Sequence, residues 1–248
     1  MDLLLALLTG RLATLGEEPA FPPPRAALPS GLLAVGGDAA PQRLLSAYAR
    51  GIFPWPHDGL PLLWFSPDPR FVLPLDAVHV GRTLRRSVRG GTFRITADTA
   101  FDRVIAACAR TPRPDQDGTW ITDEIRAGFG ALHERGHAHS VEAWQDGELV
   151  GGVYGVAVGG VFCGESMFAH RPDASKVALV TALANLRRWG FALLDCQVHT
   201  DNLERFGALE WPREDFLEAL SDASRAPLPP GPWHVTLHGA DALAELDR

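Results

Sequence analysis

The sequence predicts an α+β protein built from two parts of different character. Twelve of the twenty prolines lie between Pro19 and Pro74, so the first part is irregular and rich in turns. From His139 onward, apolar residues recur with a period of two over three segments, and a helix-like segment and one more apolar run follow. We therefore expect a small N-terminal α/β domain over residues 1–68. We expect a second domain over residues 69–248, with a mostly antiparallel central sheet flanked by helices.

Composition and charge limit the classes of function. The 248 residues are 46% hydrophobic, and the net charge of -7 argues against a broad polyanion-binding surface without excluding a local basic patch. No stretch is long and apolar enough for a membrane helix, and the apolar start, Met1–Leu8, lacks the basic residues of a signal peptide. The three cysteines form no C-x-x-C motif. We expect a cytoplasmic protein with no membrane partner.

The first part contains one helix candidate. Pro41 suits the first turn of a helix, Leu44, Leu45 and Tyr48 share one apolar face, and Gly51 ends the pattern. The second part begins with a dense basic run from Arg82 to Arg89. On a helix, its four arginines fall on one face, namely Arg82, Arg85, Arg86 and Arg89. This face is either a solvated helix side or a contact surface for phosphate groups, which arginine forks fit well.

Histidines near the next predicted helix invite a metal interpretation. The helix is capped by Thr122, and His133, His137 and His139 lie at or beyond its end. Gly136 separates them, and no C-x-x-C or H-E-x-x-H motif accompanies them. We therefore expect ordinary polar histidines and no metal site.

The second half predicts three antiparallel strands, a helix and a further strand. Asp146-Gly147 is a hairpin signal, and Gly159-Gly160 turns the chain into the apolar strand Val161–Phe168. A helix follows from Ala174 to Trp189, and a strand from Phe191 to Val198. This order of elements is that of an N-acetyltransferase-like domain, in which acyl donors bind where neighbouring strands splay apart.

The strand Val161–Phe168 carries one acid, Glu165, in an apolar setting that is costly without a partner or a task. Strict alternation places Glu165 and Gly164 on opposite faces of the sheet. We expect a bulge at Gly164-Glu165, which lets both faces contribute to one pocket.

Asp195 and Gln197 end the last apolar strand and, two residues apart, are expected on one face. The carboxylate would hold the amide NH₂, and the amide oxygen would accept a hydrogen bond from an attacking amine. The alternative is a hydrogen-bonded pair that only closes the strand.

The donor of the acyl group is not predicted to be a coenzyme. Acetyl-coenzyme A enzymes with this fold carry a Q/R-x-x-G-x-G/A loop before the helix, and the segment His170–Lys176 lacks it. Trp55 and Trp120 could stack a nucleobase, although core packing is the commoner role for a tryptophan taken alone.

Eight collinear segments resemble the signature blocks of the leucyl/phenylalanyl-tRNA–protein transferase family. They are Leu32–Asp38, Tyr48–Trp55, Trp64–Arg70, Gly118–Thr122, Gly136–Glu142, Phe162–Phe168, Ala174–Lys176 and Asp195–Gln197. The resemblance implies transfer of leucine or phenylalanine, and less well methionine, from aminoacyl-tRNA to an N-terminal arginine or lysine of acceptor proteins, which enter N-degron (N-end rule) proteolysis. It implies no cofactor.

The resemblance also implies site residues. Asp195 would orient Gln197, Gln197 would assist attack by the acceptor's α-amine, and Glu165 would hold the cationic acceptor or contribute to that activation. The substrate-binding residues would be Val153, Phe162, Gly164 and Met167 in the aminoacyl pocket, Trp55, Trp120 and Tyr48 around the terminal adenosine, and Thr200. The arginine face of residues 82–89 would contact the acceptor stem. Ala182 and Leu186 stand where larger aromatic side chains are expected, which implies a wider pocket floor.

Two other functions fit the same sequence. One is an acyl-coenzyme A-dependent N-acyltransferase on the same fold, which would transfer an acyl group without RNA. The other is a non-catalytic RNA-binding module, which would bind tRNA without transferring its amino acid.

Overall fold

The computed structural model describes residues 10, 12–57, 59–111, 119–226, 229 and 231–248. The apolar start Met1–Leu8 and residues 112–118, which include the first residue of one signature block, lie outside this part of the chain. No helix among the described residues is long and apolar enough to cross a membrane.

A small four-stranded sheet and one helix form the N-terminal part. The strand order is β1-β2-β4-β3, and β1 pairs with β2 in parallel. The elements are β1 (Ala13–Leu15), β2 (Leu32–Gly36), α1 (Pro41–Tyr48), β3 (Phe53–Pro54) and β4 (Leu63–Phe65). The predicted helix is confirmed, and Pro41 occupies its first turn.

A seven-stranded sheet forms the centre of the second part, in the order β11-β5-β10-β9-β8-β7-β6. All its neighbours are antiparallel except β9 and β10. The strands are β5 (Arg70–Pro74), β6 (Arg94–Ala97), β7 (Ala138–Gln145), β8 (Glu148–Val158), β9 (Val161–Ala169), β10 (Leu193–Gln197) and β11 (Leu209–Trp211). The helices are α2 (Arg82–Arg89), α3 (Phe101–Arg110), α4 (Asp123–Glu134), α5 (Ala174–Arg188), α6 (Asp201–Glu204), α7 (Arg213–Ala223) and α8 (Gly239–Leu246). The predicted order of three strands, helix and strand is confirmed, with β5 between β10 and the edge.

Two hydrophobic clusters cover the two faces of this sheet. Along β9, Phe162 belongs to one cluster and Cys163 to the other, as alternation requires. Helices α2, α5 and α8 pack on the first face, whereas α1, α3, α4 and α7 pack on the second. The second cluster joins residues from both sides of position 68, so the boundary between residues 1–68 and 69–248 stays a prediction.

The C-terminal segment, residues 231–248, is part of the core of the protein. Trp233 is 2% exposed, and its ring lies 3.6 Å from that of His139 in a parallel stack. The side chain of Asn185 in α5 hydrogen-bonds to the backbone of Thr236 and Leu237. Packing of this kind is set by tertiary contacts, and a short helix with no side-chain cap gives little local signal.

Candidate active site

A cavity of about 370 Å³ lies where β9 and β10 separate. The two strands pair in parallel only as far as Cys163 and Asp195, and beyond this pair the cavity opens between them. Its walls come from both faces of the sheet, with Trp55 and Trp120 on one side and Leu179 on the other. The splay that the fold class predicted therefore contains the candidate site.

The bulge expected in β9 is present, and Glu165 is its extra residue. Tyr154 pairs with Ser166 while the next residue, Gly155, pairs with Gly164, so Glu165 has no partner on β8. Gly155 makes this arrangement possible, because a Cβ at that position would lie 2.2 Å from the carbonyl oxygen of Cys163. The distortion brings Gly164, Glu165 and Met167 to the same cavity, which confirms the hypothesis drawn from the sequence.

Glu165 joins two neighbouring side chains through one oxygen. Its Oε1 atom accepts a hydrogen bond from the Tyr48 hydroxyl at 2.7 Å and another from Nε2 of Gln197 at 2.7 Å. Burial raises the pKa of Glu165 to about 8; the charge of Asp195 also raises it, while both hydrogen bonds and Arg70 lower it. A carboxyl group with this pKa exchanges protons near neutral pH.

Gln197 does not lie as the alternation rule predicted. Its φ of 64° is left-handed, and the register of β10 against β5 shifts between Asp195 and Gln197. The backbone N–H of Gln197 donates to Oδ1 of Asp195 at 2.9 Å, and the side-chain amide turns to Glu165 instead. The expectation that Asp195 holds the amide NH₂ is therefore wrong, because the left-handed residue rotates its side chain off the face of Asp195.

Asp195 is held by Arg70, which the sequence did not single out as a site residue. Nε and Nη2 of Arg70 donate to the two carboxylate oxygens at 2.8 and 2.7 Å, and both side chains are fully buried. Nη1 of Arg70 also donates to the carbonyl oxygen of Gly51, just after α1. The need of a buried acid for a cationic partner is the signal that would have found Arg70.

Six of the predicted substrate-binding residues line the cavity. They are Trp55, Trp120, Val153, Gly164, Met167 and Thr200. Leu179, Leu194 and Cys196 also line it and extend its apolar part, and the sequence reasoning missed them. Burial raises the pKa of the Cys196 thiol well above its usual range, so this side chain is a neutral apolar lining group.

Two predicted substrate-binding residues lie elsewhere. Tyr48 is 1% exposed and touches Glu165 from beneath the cavity, so it supports the site instead of facing an adenosine. Phe162 is 3% exposed, packs near Trp233 and does not line the cavity. Ala182 and Leu186 are buried and do not line the cavity, to which α5 contributes Leu179.

The four arginines of α2 do not form one free face. Arg82, Arg86 and Arg89 are exposed, but Arg85 donates to Asp247 at the end of α8 and to the carbonyl oxygen of Val80. Arg85 lowers the pKa of Asp247 by this contact. The fork of Arg85 is occupied by a segment whose packing the sequence did not reveal, and contact of Arg85 with RNA stays a prediction.

The three histidines were expected to be ordinary polar residues. His139 Nδ1 lies 2.7 Å from Asp98 and its Nε2 3.1 Å from the carbonyl oxygen of Gly136, while His133 Nδ1 lies 2.8 Å from the carbonyl oxygen of Ala138. Among the described residues, one group has the geometry for a metal ion, and all its members are exposed, namely His199, Asp201 and Glu204.

Comparisons with known proteins agree with the resemblance of the signature blocks. A family model described as leucyl/phenylalanyl-tRNA protein transferase matches residues 72–221, and a second model, for the N-terminal domain of that family, matches residues 37–68. Similarity to solved structures is weaker, with a TM-score of 0.40 and 11% identity over 58% of this chain and 57% of a functionally unknown conserved protein from Staphylococcus epidermidis.

Curated relatives are similar over most of their length. A leucyl/phenylalanyl-tRNA–protein transferase of Myxococcus xanthus is 59% identical over 213 residues, which cover 86% of this chain and 91% of the relative. One of Nitratidesulfovibrio vulgaris is 58% identical over 87% of this chain and 92% of the relative. One of Anaeromyxobacter dehalogenans is 54% identical over 91% of this chain and 97% of the relative.

Proposed function

The chain belongs to the leucyl/phenylalanyl-tRNA protein transferase family, and from this premise we propose its substrates and the role of each site residue. Its activity is aminoacyl transfer from tRNA to protein. The amino acid is leucine or phenylalanine, and less well methionine, and the acceptors are proteins that begin with arginine or lysine. The observation that carries the proposal is the link from Tyr48 through Glu165 to Gln197 at the wall of an apolar cavity.

The aminoacyl end of the donor occupies the cavity. The amino-acid side chain fits the apolar part lined by Val153, Met167 and Leu194, and an apolar pocket discriminates weakly between side chains of similar size. The terminal adenosine lies against Trp55 and Trp120, both half-buried at the other wall. Thr200 lies at the rim.

The reaction joins the acceptor's α-amine to the carbonyl carbon of the aminoacyl ester. The C–N bond forms, the C–O bond to the ribose breaks, and one proton passes from the amine nitrogen to the ribose oxygen. The amide oxygen of Gln197 accepts a hydrogen bond from the attacking amine, while Glu165 holds the amide in place. The ionised form of Glu165 also takes up the amine proton, since its pKa of about 8 is close to that of an α-amine, about 7.7–8.0.

Asp195 acts by positioning Gln197. Both of its oxygens are bound by Arg70, and Oδ1 also fixes the backbone N–H of Gln197. The carboxylate therefore holds Gln197 in its left-handed conformation and does not reach the reacting atoms.

The deciding assay mixes purified protein with labelled Phe-tRNA or Leu-tRNA and with peptides that begin with arginine, lysine or alanine. We expect transfer to the first two peptides only. Absence of transfer to any peptide would overturn the proposal. Equal transfer to the alanine peptide would show that the acceptor does not need a cationic N-terminal residue. Labelled acetyl-coenzyme A without RNA tests the rival coenzyme hypothesis, and we expect no transfer from it.

The proposed product carries a leucine or phenylalanine at its N-terminus and enters N-degron proteolysis in the cytoplasm. Both points follow from the family resemblance. Co-expression of this protein should shorten the lifetime of a reporter protein that begins with arginine. Co-expression of the Gln197→Ala variant should leave that lifetime unchanged.

A further inference from the structure

Helix α2 and the loop between β9 and α5 meet at one junction. The Ser87 hydroxyl donates a hydrogen bond to Oδ2 of Asp173 at 2.7 Å, which joins the helix to the start of α5. Arg86 is next to Ser87 in the chain, whereas Arg171 and Lys176 lie two residues before and three residues after Asp173. Both elements therefore carry cationic residues within three positions of this junction.

Five cationic side chains on the two elements that meet at this junction make no ion pair among the described residues, and we call them the basic surface. They are Arg82, Arg86, Arg89, Arg171 and Lys176. None takes part in an ion pair within the described ranges. Lys176 is half-buried and the four arginines are exposed. Two acids on the same elements are already engaged, since Asp173 accepts from Ser87 and Asp247 pairs with Arg85.

Lys176 is the only lysine of the chain, and all the other lysine or arginine positions are arginines. Within the described residues its ammonium has no hydrogen bond or ion pair to explain its presence. An ammonium on a flexible side chain is a compact point charge that can adjust to the position of a phosphate group. A guanidinium binds best to a planar partner in a fixed direction. A single ammonium in a chain of arginines indicates a contact of the first kind.

We propose that the basic surface is one phosphate-binding surface for the tRNA, in which Arg171 and Lys176 contact the RNA backbone together with the arginines of α2. This rests on the proposed function and extends it to residues outside α2. The direction of β9 supports it, because Met167 lines the cavity and the strand then leads to Arg171. The strand ends at Ala169, and the four residues from Met167 to Arg171 span at most about 14 Å. Arg171 therefore lies within that distance of the cavity that would receive the acceptor end of the tRNA.

The first test measures tRNA affinity as a function of salt concentration. The Arg171→Ala, Lys176→Gln double variant should reduce the slope of log affinity against log salt by about one for each phosphate group that the protein no longer neutralises. The matched control is Arg135→Ala with Arg225→Ala, which removes the same charge. Both control arginines are exposed at the Gly159-Gly160 end of the β8–β9 hairpin, opposite to Arg171.

The second test uses the fact that Lys176 is the only lysine. Acylation of its ammonium group by an amine-reactive acetyl ester is followed by peptide mass spectrometry, with and without tRNA. We expect the labelling rate to fall in proportion to the fraction of protein that is bound. Lys176→Arg, which keeps the charge, should retain the salt slope that Lys176→Gln reduces.

The outcomes separate this inference from the function on which it rests. If wild type transfers the amino acid but Lys176 is labelled equally in saturating tRNA, or the control variant changes the slope as much as the double variant, the inference is wrong and the function stands. If wild type neither binds tRNA nor transfers, the proposed function fails first. Thermal unfolding of each variant confirms that the protein remains folded.

Discussion

Glu165 is the residue whose protonation state decides the rate in the proposed mechanism. Its pKa of about 8 means that the carboxylate becomes the main form only above that pH. We therefore expect the transfer rate of wild type to rise with pH through this region. In Glu165→Gln, which keeps an oxygen for Tyr48 and Gln197, the rate should be lower and should follow only the titration of the acceptor amine. Initial rates of wild type and Glu165→Gln, measured from about pH 6 to 9, cover the titration. Identical pH profiles of the two proteins would contradict the role of Glu165 as a base.

The same shift has a consequence for stability. The usual pKa of a glutamate is 4.5, so between about 4.5 and 8 the folded protein retains a proton that the unfolded chain has released. The contribution of Glu165 to stability is therefore most favourable below this range and declines as pH rises through it. Urea unfolding across the same range should show a shallower decline in Glu165→Gln.

Tyr48 is expected to tune Glu165 from beneath the cavity. Its hydrogen bond stabilises the carboxylate and lowers the pKa of Glu165, so Tyr48→Phe should move the midpoint of the pH–rate profile to higher pH. Loss of a hydrogen bond to a charged group costs about 1.5–3 kcal/mol of interaction. Tyr48 does not line the cavity, so the KM for aminoacyl-tRNA should change little. A raised KM with an unmoved midpoint would instead place Tyr48 against the adenosine.

The bulge in β9 is the local structure that brings these groups together, and Gly155 on β8 is its counterpart. Gly155→Ala would place a Cβ against the carbonyl oxygen of Cys163, which forces β8 and β9 apart near Glu165. A displacement of about 1 Å in a catalytic group costs on the order of 100-fold in rate, so the folded variant should lose activity by about that factor. The clash itself should cost about 1–3 kcal/mol of unfolding free energy. Gly130→Ala in α4 is the control, since its nearest neighbour lies at 3.9 Å and activity should be unchanged.

The sequence predicted the elements better than the details of the site. Periodicity located α1, α5 and the meander β7–β9, and the buried acid in β9 correctly predicted a bulge. The sequence did not predict strand β5, because the prolines immediately before Arg70 indicate a turn and the strand that follows is short. The orientation of Gln197 was also missed, since the alternation rule holds only for extended residues and Gln197 is left-handed.

The C-terminal segment extends the core across the molecule. Trp233 packs near Phe162, Trp189 and Phe191, and α8 fixes Arg85 through Asp247. None of these contacts is local in sequence, which is why the periodicity of the tail did not predict them. The segment thus pairs with Arg85 and leaves the other arginines of α2 without an ion pair among the described residues.

Truncation of Trp233 should destabilise the whole protein. Trp233→Ala leaves a cavity in the core and should cost about 3–5 kcal/mol of unfolding free energy in urea. Leu209→Ala is the control, since Leu209 is 44% exposed and its truncation should cost under about 0.5 kcal/mol. At temperatures where the variant is folded, its turnover should match wild type because Trp233 does not line the cavity. A decrease below about 1 kcal/mol would show that the segment is dispensable for folding.

The separation of β9 from β10 has a kinetic consequence. Because the cavity between them has walls on both faces of the sheet, donor and acceptor can be present together. The thiol of Cys196 is neutral in the pH range of the reaction, so it does not store the aminoacyl group as a thioester. We therefore expect a sequential mechanism through a ternary complex. Double-reciprocal plots with both substrates varied should intersect, whereas parallel lines would indicate a covalent intermediate.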